Sequence, residues 1–276
     1  MRINKAIRKL KIYWPFAKSS MLQALAYKAG ALFMNVYMFM SIAISYFLWS
    51  AIFDSSGSGM LQGFSKPEML VYIVISAVAG ALSRVYITED IGREIVDGSI
   101  ATALIKPVSY VLRWLFSAFG GFVVSLVMPC WLIIAGMIFH GLATGSFAPT
   151  PAGVAVFALS ALLGFAISFL FEFCFSLLSF YTTYIWGLAI FKDAIVGLLS
   201  GAAIPLAFFP GAIRGAIEFM PFAGINYIPV MIFLGKIQGL DMLAFLARQA
   251  FWIAALSLAV KILWGRALRR LVVLGG

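Results

Sequence analysis

The amino-acid sequence predicts an all-α membrane protein with six transmembrane helices and both termini in the cytoplasm. Three observations predict it. Hydrophobic residues make up 63% of the 276-residue chain and charged residues 11%, with a mean hydropathy of +1.05; a soluble domain carries about 25% charged residues. The apolar residues gather into runs of the length that crosses a bilayer, roughly 20 residues each. Lys and Arg cluster at alternate connections between those runs, which is the positive-inside pattern. The first observation excludes a soluble enzyme, a disordered chain and a secreted disulfide scaffold. The excess of twenty Lys and Arg over ten Asp and Glu belongs to anionic headgroups beside the spans, not to nucleic acid.

The expected spans are 31–53, 69–87, 111–140 (broken near Pro129), 154–178, 185–209 and 242–264. Residues 1–30 hold Arg2, Lys5, Arg8, Lys9, Lys11, Lys18 and Lys28, whereas residues 54–68, which include the polar Ser/Gly loop 54–66, hold only Lys66. Arg84, Arg93, Lys106 and Arg113 surround the second connection, the loop 141–151 holds no cation, and the tail holds Lys261, Arg266, Arg269 and Arg270. This alternation places residues 88–107 and both termini in the cytoplasm. No short apolar region ending in a cleavage site follows the basic start, so no signal peptide is expected.

Two pieces are not expected to span. Ile3, Ile7, Leu10 and Trp14 recur at helical spacing while Lys5, Arg8, Lys9 and Lys11 take the other faces, the pattern of a helix lying in the membrane interface. Residues 210–239 are cut by Pro210, Pro221 and Pro229 into apolar runs too short to cross and too apolar for water, which predicts re-entrant helices dipping into the outer leaflet.

The most informative hydrophilic stretch is 88–107. Thr88 is positioned to cap a helix whose first turn carries Glu89 and Asp90, complementing the helix dipole. Arg93 and Glu94 follow, and Asp97-Gly98 favours a turn. Ser99 is placed to cap a second short helix stopped by Pro107, with Ile100, Leu104 and Ile105 as an apolar patch beside Lys106. Such a patch fits the groove of a partner protein; resting on the membrane is the other reading.

Asp97-Gly98-Ser99-Ile100 followed by Leu104-Ile105-Lys106-Pro107 resembles the "DG-x-I…LLKP" signature after the second span of ABC-2 type permeases. A second match lies in Trp186-Gly187, Ser200-Gly201-Ala202-Ala203-Ile204-Pro205-Leu206 and Phe208-Phe209-Pro210. It continues through Pro221-Phe222, Tyr227, Pro229 and Phe233-Leu234-Gly235-Lys236. The resemblance spans almost the whole chain, as a single transmembrane domain over 1–276, and implies the membrane half of a bacterial exporter in the cytoplasmic membrane. It implies two permease halves, identical or paralogous, on two copies of a cytoplasmic ATPase subunit that carries the ATP and Mg. Residues 1–28 would then be the interfacial connecting helix, 88–107 the coupling region and 210–239 the re-entrant region. Gly197 and Gly201 in the fifth span would allow close packing between halves. Arg93 and Glu94 stand where the signature is variable.

Ionisable groups at membrane depth are costly and point to function. Glu172 and Lys192 each lie ten residues from Thr182, hence at about the same depth of 15 Å along their helices. An interhelix pair is expected between them, with Asp193 facing elsewhere, toward Arg113 or water; snorkelling of all three to the cytoplasmic boundary is the alternative. Glu172 and Asp193 would also serve an ion-coupled transporter, but no internal repeat supports one. The sole Gly-Lys pair, Gly235-Lys236, lacks a phosphate-loop context, so no nucleotide site is expected on this chain. With one histidine, His140, and two cysteines, Cys130 and Cys174, in apolar runs, neither a metal centre nor a catalytic thiol is expected.

Overall fold

The structure, a computed structural model, describes residues 10–127, 150–182 and 184–269. The first nine residues, Pro129, Cys130, His140, most of loop 141–151 and Arg270 lie outside the described residues. The described chain is nearly all α: α1 (Trp14–Ala26), α2 (Lys28–Ser56), α3 (Lys66–Leu82), α4 (Thr88–Val96), α5 (Ile100–Ile105) and α6 (Tyr110–Ser125). After the gap come α7 (Pro151–Ser176), α8 (Trp186–Leu199), α9 (Gly211–Phe219), α10 (Tyr227–Phe233) and α11 (Gly239–Leu268). Among the described residues three helices are long and apolar enough to cross a membrane: α2, α7 with its 3-10 extension to Phe180, and α11.

Helices α3 and α8 stand at two of the other expected spans but are shorter, with 17 and 14 residues, and α6 covers the first part of the expected span 111–140, whose residues 128–140 lie outside the described residues. Helix α3 stops at Leu82, five residues short of Ile87. Helix α8 stops at Leu199 rather than at 209, because Gly201 takes a left-handed φ of +80° just past the cap residue Ser200, the usual glycine ending of a helix.

Local chemistry explains where the helices begin. Ser65 caps α3 in a capping box with Glu68, with Pro67 in the first turn. Thr150 caps α7 by accepting the Gly153 N–H at 3.1 Å, ahead of Pro151. The loop expected over 54–66 is partly ordered instead, since α2 runs to Ser56 and a hairpin of Met60–Leu61 and Phe64–Ser65 follows. Gln62 and Gly63, with φ of 48° and 80°, supply the two positive dihedrals that a tight hairpin turn requires. Lys236 clamps this hairpin, donating to the Gly63 carbonyl at 2.8 Å and pairing with Glu68 at 2.9 Å.

The centre of the molecule is α7, packed against α11, α10 and α3. Helix α10 is buried along its whole length. Pro229 does not break it, because it is the third helical residue, whose N–H would have no partner inside the helix. The turn Pro221–Gly224 inserts beside the middle of α7, against Gly164. Gln249 of α11 ties the turn to α7, donating to the Gly224 carbonyl at 2.7 Å and to the Ser160 carbonyl at 3.0 Å. The Ser76 hydroxyl donates to the Asn226 side-chain oxygen, and the Asn226 amide donates back to the Ser76 carbonyl, both at 2.9 Å.

Gly164 permits this insertion. A Cβ there would stand 2.8 Å from the Gly224 carbonyl oxygen and 3.1 Å from that of Ile225. Replacing Gly164 by Ala is expected to cost about 1–3 kcal/mol through forced backbone displacement. Thermal unfolding in detergent checks this, with Gly187→Ala as the control, since a Cβ at Gly187 meets nothing within 4 Å.

Candidate functional site

Helices α4 and α5 form a short segment joined by the Asp97-Gly98 turn. Gly98 sits at φ +76°, and the Ser99 N–H donates to the Asp97 carboxylate at 2.9 Å. Hydrogen bonds from Ser99 hold the Asp97 carboxyl below its ordinary value, whereas burial pushes Asp90 up against the pull of Arg93. Glu89 and Asp90 lie in the first turn of α4. Arg93 and Asp90 approach at 3.9 Å with both side chains largely exposed, a contact worth little.

Two carboxylates anchor the segment. Glu94 accepts from Arg113 of α6 at 2.6 and 2.7 Å and from the Tyr110 hydroxyl at 2.8 Å. The Arg113 guanidinium lies 4.8 Å from the centres of both the Tyr110 and Trp114 rings. Arg113 is thus committed to Glu94 and not to Asp193. The second carboxylate is Glu172 on α7, buried, with one oxygen on the Lys192 ammonium of α8 and the other accepting from the Thr88 hydroxyl. Asp193, half exposed, reaches the same ammonium at 3.0 Å. One carboxylate therefore ties the first residue of α4 to both α7 and α8.

Several expected roles change. Thr88 is helical and does not cap α4: its hydroxyl is taken by Glu172, and Ile87 occupies the cap position. Ser99 makes no side-chain cap to α5. The apolar residues of α5 divide between two faces. Ile100 is fully buried and Leu104 packs against the core, whereas Ile105 is 84% exposed. The outward apolar surface consists of Val96, 55% exposed, and Ile105, beside exposed Lys106 and Pro107. Gly201 does not face outward for a second copy; it is buried against Tyr72, which donates to its carbonyl at 2.7 Å, and Tyr227. A Cβ on Gly197 meets nothing within 4 Å.

Two contacts were not anticipated from the sequence. The Thr88–Glu172 bond joins residues 84 positions apart. Gly92 lets α4 approach the end of α7, since a Cβ there would lie 3.0 Å from the Ser179 hydroxyl oxygen and 3.1 Å from an Ile185 methyl. A lone glycine inside a helical pattern was the available signal for the second. The N-terminal side is fastened as well: Tyr13 stacks on Phe116 and its hydroxyl accepts the Ser109 N–H at 2.8 Å.

Three long apolar helices, one of which carries the buried Glu172 that holds Lys192 and the charged segment 88–107, define an integral membrane protein. A family model described as ABC-2 family transporter protein matches residues 39–275, and the chain belongs to that family. Neither the curated proteins nor the solved structures contain a match to the chain.

Proposed function

We propose that this chain is the permease half of an ATP-driven exporter in the bacterial cytoplasmic membrane, with six spans and cytoplasmic termini. It pairs with a second permease half and docks on a separate ATPase subunit. The observation that carries this reading is the division of labour within α4 and α5. Val96 and Ile105 face out at the tip, while Glu94 and Thr88 fasten the base to α6, α7 and α8. Force applied at the tip is thereby delivered to the helices that form the path. ATP and Mg belong to the partner, and this chain is not an enzyme. An ion-coupled mechanism through Glu172 and Asp193 is disfavoured, because both Glu172 oxygens are engaged by Lys192 and Thr88.

Co-purification tests the reading. The wild-type chain is expected to bring down a Walker-motif ATPase, and Ile105→Asp to reduce its recovery at least tenfold while Ile105→Leu retains it. Ile100→Asp is not a docking probe, since it would bury a carboxylate in the core. Uphill transport by vesicles containing this polypeptide alone would overturn the proposal.

A further inference from the structure

A cavity of about 470 Å³ opens between α1, α2, α6 and the end of α3. Its volume lies within the range of small-molecule sites, about 300–1,000 Å³. Ala24, Ala31, Met34, Met38 and Val124 give it an apolar wall, and its one charged lining residue is Arg84. The surrounding face of α2 is strongly apolar and outward, with Leu32, Phe33 and Tyr37 all exposed, so the cavity adjoins the surface that an integral membrane protein presents to lipid.

Arg84 differs in its pairing from four of the other cations. Arg113, Lys192, Arg214 and Lys236 each have a carboxylate within 2.9 Å. Arg84 makes no ion pair among the described residues, and its guanidinium lies 5.9 Å from the centre of the Tyr86 ring. A guanidinium offers a fork of N–H donors matched to phosphate oxygens. An unpaired guanidinium at the edge of an apolar, bilayer-facing hollow is complementary to a molecule with an anionic head and a hydrocarbon body. Basic pockets between membrane helices hold anionic headgroups on the same principle.

We propose that this cavity binds an anionic phospholipid of the surrounding bilayer, with its phosphate on Arg84 and an acyl chain lying between α1, α2 and α6. The site rests on the chain being an integral membrane protein and is independent of the ATPase partner. Gly30 and Gly121 line the same hollow, and a Cβ at either meets nothing within 4 Å, so a larger side chain there enters the cavity without striking the backbone.

Native mass spectrometry of the purified full chain, titrated with phosphatidylglycerol or phosphatidylcholine of identical acyl chains, tests the proposal. The wild type is expected to retain phosphatidylglycerol about tenfold more tightly, a difference of about 1.4 kcal/mol. Arg84→Gln should abolish that preference, Arg84→Lys should keep most of it, and Gly121→Leu should reduce retention of both lipids. The lysine variant separates loss of charge from loss of fold. Equal retention of the two lipids by the wild type, a preference that survives Arg84→Gln, or retention untouched by Gly121→Leu would each overturn the site. So would a dimer that covers the cavity and carries no lipid.

Discussion

Replacing Lys192 with Met is expected to destabilise the protein by about 3–5 kcal/mol, the cost of leaving one partner of a buried ion pair alone. Lys192 and Glu172 have side chains only 5% and 6% exposed, so water does little to screen the charge left behind. The two single changes should differ. Glu172→Gln leaves Lys192 paired with Asp193 at 3.0 Å, whereas Lys192→Met leaves the Glu172 carboxylate with only the Thr88 hydroxyl. Lys192→Met is therefore the more damaging change, and the double variant should recover part of the loss because no orphan charge remains. Thermal unfolding of the four proteins in detergent measures the coupling, expected at about 0.5–3 kcal/mol for residues in contact. Strict additivity of the two changes would show that the pair contributes nothing. Thr88→Val is expected to leave the pair intact while detaching α4 from it, lowering transport more than stability.

The second large effect is expected at Gly120. A Cβ there would fall 2.4 Å from the Ala17 carbonyl oxygen and 2.9 Å from the Ser20 Cβ, and the first obstacle is backbone. Helices α1 and α6 cannot both keep their places. Gly120→Ala should cost about 1–3 kcal/mol, the range for overpacking a tight site, and Gly120→Leu more. Its neighbour provides the contrast. A Cβ on Gly121 meets nothing, so Gly121→Ala should be neutral or should stabilise by up to about 1 kcal/mol through helix propensity. Limited proteolysis should open the α1 region in the Gly120 variants and spare it in Gly121→Ala. Equal behaviour of the two alanine variants would mean that the close crossing does not exist in solution.

The legibility of the molecule depended on distance along the chain. The turn at Asp97-Gly98 and the acidic first turn of α4 were readable because their causes lie within a few residues. The equal spacing of Glu172 and Lys192 from one turn brought their meeting within reach of arithmetic. Capping at Thr88 was not readable in the same way: a threonine ahead of two acids has the local pattern of a cap, and only a carboxylate 84 positions away redirects its hydroxyl. Ile100 and Ile105 look alike in sequence, yet one is buried and the other is 84% exposed. A six-residue helix is too short for periodicity to say which side faces the protein.

The sequence by itself determined that this is a helical membrane protein, which segments are apolar, and the transporter family to which it belongs. Hydropathy and short motifs are sums over neighbouring residues, and no fold is needed to add them. The tertiary structure alone decided that Gly201 ends a helix against Tyr72 and Tyr227, that the 221–224 turn reaches the middle of α7, and that Arg84 borders an apolar hollow without an ion pair. Each of these depends on which faces of distant helices meet. In a chain this apolar, almost every helix face is greasy enough to be inside, so packing and a few polar bonds choose among them.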